Sequence, residues 1–133
     1  CQKVATAHHK NDHFETVLFN LFRGSGLKGL TGIKPLNDKI IRPIRQLSRK
    51  EIENYVFENN LPFVEDSTND DTQFTRNFIR KEIAPKILER FPDALDSVER
   101  LSKIASEDSK RLSAPSTSVI SNLKYSGKFS APL

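Results

Sequence analysis

The chain has 133 residues, 36% hydrophobic and 29% charged, with a formal net charge of +4. That is enough for one compact domain, or one and a half small ones, around a modest core. It has no apolar run near the roughly 20 residues a membrane helix needs and no basic-then-apolar leader, and its one cysteine, Cys1, excludes a disulfide framework and an all-cysteine metal site. These features point to a reducing, cytoplasmic setting with no membrane partner. The chain lacks methionine and opens on Cys1 directly before a strand pattern, which reads as a cut end. Residues 1–50 hold ten Lys/Arg against three Asp/Glu, whereas residues 51–133 hold eleven against fourteen. A basic half of this kind is either an unevenly charged solvated surface or a face for a phosphate-rich partner.

In chain order, Lys3 to Ala7 reads as a buried strand ending in the paired histidines His8 and His9. The Asx pair Asn11-Asp12 then starts an amphipathic helix with Val17, Leu18, Leu21 and Phe22 on one face. Gly24 suits the position just past its end, with Arg23 in the last turn. Ser25 to Pro35 is a glycine-rich loop. Ile40 to Ile44 reads as a second short strand, at an edge or ending where Pro43 removes a donor. Ser48 and Glu51 form a capping box for a helix with an Ile52, Tyr55, Val56 stripe, which stops near Asn59-Asn60 before Leu61-Pro62. Glu65 to Thr72 is an acidic, Asx-rich loop. Phe74 to Ala84 is helical, Pro85 kinks that helix or starts a segment running to Phe91, and Pro92 opens a last helix with Leu95, Val98, Leu101 and Ala105 facing inward. From Ser113 the text is Ser-rich and aperiodic, the pattern of a flexible tail.

Three groups of residues can carry chemistry. His8, His9 and Asp12 lie where a strand ends and a helix begins, the place at which open α/β sheets bind nucleotides. They serve a metal, a general base or a nucleotide, or else comprise one core histidine, one surface histidine and a helix cap. Arg23 to Leu30 brings two cations and three glycines together; glycine lets backbone amides approach phosphate, although the spacing is not that of a Walker A loop. Arg76 and Arg80, four apart on a helix, share a face and make a two-pronged anion clamp, or else pair with Asp66, Asp70 and Asp71.

In this order, AHHKNDHFETVLFNLFRGSGLKGLTGI, IIRPI, DSTN and RNFIR resemble the tRNA(Ile)-lysidine synthase family of the PP-loop ATPase superfamily, over roughly Val4 to Ala105. The resemblance implies that ATP adenylates the C2 carbonyl oxygen of the wobble cytidine of an isoleucine tRNA. The lysine amine then attacks C2 to give lysidine. It implies ATP and Mg2+ as cofactors, and the tRNA anticodon region and L-lysine as partners, and it admits a homodimer. By the same resemblance Asp12, His9, Arg76 and Arg80 are catalytic, with Asp12 also at the metal. His8, His9, Asp12, Gly24 and Gly26 contact ATP, and Arg23, Lys28 and Arg42 contact RNA.

Two departures accompany it. The family carries two acids where Asn11-Asp12 stands, and its Ser-Gly-Gly-x-Asp-Ser pyrophosphate loop is expected ahead of this stretch, so the chain alone is expected to be inactive. The expected fold is α/β. Residues 1–47 form the C-terminal portion of a parallel-sheet PP-loop domain, 48–112 a helical continuation and 113–133 the tail. The competing readings are a non-catalytic RNA-binding or interaction fragment and a related tRNA thiolase, the latter disfavoured by the single cysteine.

Overall fold

β-Branched Ile40 and Ile41 form the central strand of a small sheet. The computed structural model describes residues 2–64 and 74–113. Strand β1 (Val4–Ala5) and strand β3 (Ile40–Ile41) run parallel, with Val4 opposite Ile40 and Ala5 opposite Ile41. The connection between them carries helix α1 (Lys10–Phe22) and the single turn α2 (Leu27–Leu30), as a parallel pair requires a crossover. Strand β2 (Leu36–Asn37) pairs antiparallel with the other edge of β3 through a hairpin turn in which Asp38 takes φ 50°, a left-handed conformation that Asx residues tolerate.

The sheet is therefore mixed, not purely parallel as expected. The first strand is shorter than Lys3 to Ala7 and exposed, because β1 is an edge paired on one side only. The second strand stops at Ile41: the Arg42 N–H turns back to the Pro35 carbonyl at 2.9 Å, and Pro43 follows.

Helix α1 starts two residues before Asp12. His9 is its N-cap, and Asp12 in the first turn accepts the His9 backbone N–H at 2.9 Å. At the other end Gly24 (φ 73°) donates to the Leu21 carbonyl and Ser25 to the Asn20 carbonyl, each at 3.0 Å. These are the two bonds of a Schellman cap, as the glycine implied. The expected loop after it contains α2. Gly29 is required there, since a Cβ would lie 2.0 Å from Ser25 Oγ.

Phe14 and Leu18 of α1 meet Ile79 and Ala84 in the core, with Ile83, Ile87, Leu95 and Val98 packed around them. Ile79, Ile83, Ala84 and Ile87 belong to one helical run: α4 (Phe74–Phe78), a π-helical turn (Ile79–Ile83) and α5 (Ala84–Arg90). Pro85 explains the break in regularity. In a tight α-helix its ring would collide with the carbonyl four residues back, and the wider turn just before it makes room.

Helix α3 (Arg49–Glu58) has the expected Ser48/Glu51 capping box. It buries nothing fully; Ile52 and Val56 are half-buried and Tyr55 is exposed. The last helix, α6 (Ala94–Ser113), packs on α1 and α2. Leu101, expected to face inward, is exposed, and Ser102 is buried with Ala105 instead. Among the described residues no helix is long and apolar enough to cross a membrane. The acidic loop with its DSTN motif and the Ser-rich tail lie outside the described residues.

Candidate active site

The first turns of α1 face the start of α3 and the π-helical turn across a cleft of about 450 Å³, whose polar lining is His9, Asn11, Asp12, Glu15, Arg49 and Arg80. Helical spacing puts Asp12 and Glu15 one turn apart on the same face. The π-helical turn presents Arg80 to both: Nη2 donates to Asp12 Oδ1 at 3.0 Å and Nε to Glu15 Oε2 at 2.9 Å. Arg80 is 43% exposed, whereas the two carboxylates are 17% and 15% exposed. The acids are thus set into the wall, and the cation lies across their mouth.

Burial pushes the Glu15 carboxyl up, against the opposing pull of Arg80. Burial also lowers the pKa of His9, although Asp12 opposes this, so the imidazole is neutral at pH 7. Its Nε2 lies 3.5 Å from Asp12 Oδ2, and its buried Nδ1 has no hydrogen-bond partner among the described residues. Asn11 is used structurally. Its Oδ1 accepts the Arg49 backbone N–H at 3.0 Å and fastens the start of α3 to α1.

Of the residues singled out from the sequence, the structure brings His9, Asp12 and Arg80 together. His8 is adjacent but bonded to Thr6 Oγ1 at 2.9 Å. Arg23, Gly24, Gly26 and Lys28 lie beyond the opposite end of α1, about 18 Å away by helical rise. The Gly24 N–H is spent on the helix cap. Arg76 does not join Arg80 in one clamp; it lies over the Phe19 ring, 5.4 Å from its centroid, while Arg80 engages the two acids. Arg42 donates from Nη1 to the Lys34 carbonyl at 2.8 Å. Asp12 and Glu15 form a two-carboxylate set; among the described residues no group of three or more His, Cys, Asp or Glu is arranged to hold a metal.

Sequence reading missed Glu15, although its spacing from Asp12 was the available signal. It also missed a second polar cluster on the far side of α1. His13 is 1% exposed and Arg45 4%. His13 Nδ1 faces the Ile33 N–H at 3.0 Å and Arg45 Nη2 at 2.9 Å, so its proton sits on Nε2, toward Ser102 Oγ at 3.0 Å. Arg45 Nη1 is bonded to Glu99 at 2.9 Å, and its Nε to the Ile33 carbonyl. Burial and the neighbouring Arg45 lower the His13 pKa to about 4. Gly32 closes over this ring: at φ 56° a Cβ would lie 2.4 Å from His13 Cε1.

Open α/β sheets bind ligands beyond the ends of their strands, and an arginine at such a place matches carboxylate or phosphate. Residues 1–87 match the ATP-binding PP-loop domain family, and the chain belongs to it. Its curated relatives include the tRNA(Ile)-lysidine synthase of Thermosipho africanus, 59% identical over 83 residues, covering 62% of this chain and 19% of that protein. The enzyme of the same name from Caldanaerobacter subterraneus is 50% identical over 103 residues, 77% of this chain and 22% of that protein. That of Chlorobaculum tepidum is 45% identical over 106 residues, 79% and 32%. The chain therefore spans a fifth to a third of the length of these relatives. The family match starts at residue 1 and gives the expected missing leading loop no support.

Proposed function

We propose that the chain is part of an ATP-dependent tRNA(Ile)-lysidine synthase and carries residues of its adenylation site. The observation that supports this reading best is the Asp12–Arg80–Glu15 arrangement in a chain 59% identical to a lysidine synthase over 83 residues. In the reaction, the C2 oxygen of the wobble cytidine attacks the α-phosphorus of ATP and pyrophosphate departs. The lysine amine then bonds to C2 and AMP departs.

Negative charge builds up around phosphorus in the first step. A guanidinium that exchanges carboxylate partners for phosphate oxygens stabilises that charge through a forked pair of charged hydrogen bonds. Asp12 and Glu15 hold Arg80 at the mouth of the cleft until polyphosphate competes for it. Neutral His9 donates or accepts one hydrogen bond there without adding charge. Mg2+ commonly uses one or two protein carboxylates and takes its remaining ligands from phosphate and water, and Asp12 with Glu15 fits that donor set. Such an ion would neutralise phosphate charge. Arg76, on a different part of the surface, is assigned to RNA and not to this step. The partner is the anticodon region of tRNA(Ile).

The test grafts the aligned stretch of this chain into the Thermosipho africanus enzyme and follows AMP release, lysidine formation and tRNA binding. The chimera is expected to form lysidine. Its Asp12→Asn variant is expected to bind tRNA nearly as well and to lose most AMP release. A folded chimera that binds tRNA and makes no lysidine overturns the reading, as does an Asp12→Asn variant that loses binding and AMP release equally.

A further inference from the structure

Two guanidinium groups from separate elements converge on one aromatic ring. Arg23, the C-cap of α1, has its Cζ 5.1 Å from the Phe19 centroid, and Arg76 of α4 has its Cζ at 5.4 Å. Both arginines are exposed and Phe19 is half-buried against the core. Among the described residues neither arginine has a carboxylate within ion-pair distance, in contrast to Arg45, Arg49 and Arg80. Cations brought to one ring repel each other. The ring's quadrupole offsets part of that repulsion, and an anion bound between or across them removes the rest.

The surrounding surface is built to the same end. The Gly24-Ser25-Gly26 turn follows directly; its Gly24 and Ser25 N–H groups are spent on the helix cap, and a Cβ at either glycine would meet nothing within 4 Å, so a strand has room to pass close by. Exposed Lys28 lies on α2 just beyond, within the basic half of the chain. A planar guanidinium with its donors in a fork matches a phosphodiester, and stacking on the ring fixes the plane of the fork.

We propose that Phe19, Arg23 and Arg76 form a binding site for the phosphodiester backbone of an RNA strand, separate from the Asp12–Arg80 cleft. The inference rests on the RNA-modifying reading above and deepens it. The site holds backbone and reads no base, so it contributes affinity without sequence preference.

The experiment measures binding of the intact polypeptide to an unmodified tRNA(Ile) transcript and to a random single-stranded RNA, each across a salt series. Arg23→Ala and Arg76→Ala are expected to weaken both RNAs about fivefold and to lower the salt slope by about one each. Lys86→Ala removes an exposed cation on α5, whose partner is Glu82, and is expected to change neither. Arg76→Lys keeps the charge, restores the slope and recovers only part of the affinity. Phe19→Leu keeps an apolar side chain against the core and weakens binding less than either alanine variant. If the unaltered protein binds neither RNA, the RNA reading itself falls and this site with it. If it binds RNA with affinity and slope indifferent to Arg23 and Arg76, this site alone is overturned.

Discussion

Helix α1 carries two polar clusters on different faces, and they are built on opposite principles. Toward the cleft, Asp12 and Glu15 share one arginine that is 43% exposed. Toward the interior, His13 shares Arg45 with Glu99, and the histidine and arginine are almost completely buried. Consecutive residues, Asp12 and His13, thus serve different ends. In the inner cluster every bond ties distant chain segments together: His13 of α1, Ile33 of the β1–β3 connection, Arg45 of the turns between β3 and α3, and Ser102 and Glu99 of α6. In the outer cluster the cation can leave, because water can take over its bonds. A buried network fixes structure, whereas an open one can exchange partners with a ligand.

The largest expected effect breaks the inner cluster. Arg45→Met leaves the Glu99 carboxylate without its main partner and removes the donor to the Ile33 carbonyl. Breaking a buried pair from one side costs about 3–5 kcal/mol. Chemical denaturation should show a loss of that size. A cost below about 1 kcal/mol, the range of surface pairs, would place this cluster with the outer one.

Acid should distinguish the clusters next. His13 has a folded pKa of about 4 against 6.5 for the free side chain. The unfolded chain therefore binds a proton more readily, and stability falls as pH drops. The contribution is complete above pH 6.5 and is lost progressively down to about pH 4, by about 3 kcal/mol for a shift of this size. His13→Gln cannot titrate, so its lower stability should lack that slope between pH 6.5 and 4. An unchanged slope in this variant would assign acid sensitivity to other groups. His9, lowered in the same direction, is the first to examine, through His9→Gln.

The contrast also explains what could be read in advance. Local signals were legible: the Ser48/Glu51 capping box and the Gly24 cap each lie within a few residues of sequence, whereas of the expected α1 stripe Val17 and Leu18 are buried and Leu21 and Phe22 are exposed. Asp12 and Arg80 were legible as chemical residue types, although nothing in the local pattern said that they touch across 68 positions. The inner cluster was not legible, since His13 meets Ser102 at a separation of 89. Ser102 faces inward where hydrophobic patterning favours Leu101, because its hydroxyl has a buried imidazole to satisfy. The β2 strand was hidden for a related reason. Leu-Asn has little strand character alone and forms a strand only because the free edge of β3 is there to pair with. The π-helical turn was signalled by Pro85, but a proline equally permits a kink or a stop.

The smallest expected change in stability belongs to Arg80→Ala, and there the comparison becomes sharpest. Arg80 is well exposed and its pairs bridge a hydrated cleft, so losing them should cost only about 0–1 kcal/mol of folding. Asp12 and Glu15 would then face each other without a cation. Their mutual repulsion should raise Glu15 further, since burial already raises it and Arg80 is the main opposing influence. If Arg80 stabilises charge at the reacting phosphorus, lysidine formation in the lysidine synthase chimera described above should fall at least tenfold, about 1.4 kcal/mol of transition-state stabilisation. A purely structural ion pair predicts the reverse: a lowered melting temperature with normal activity per folded molecule. Measuring specific activity and melting temperature on one preparation separates the two outcomes. A stable, fully active Arg80→Ala protein would remove Arg80 from the chemistry and leave the outer cluster a weaker version of the inner one.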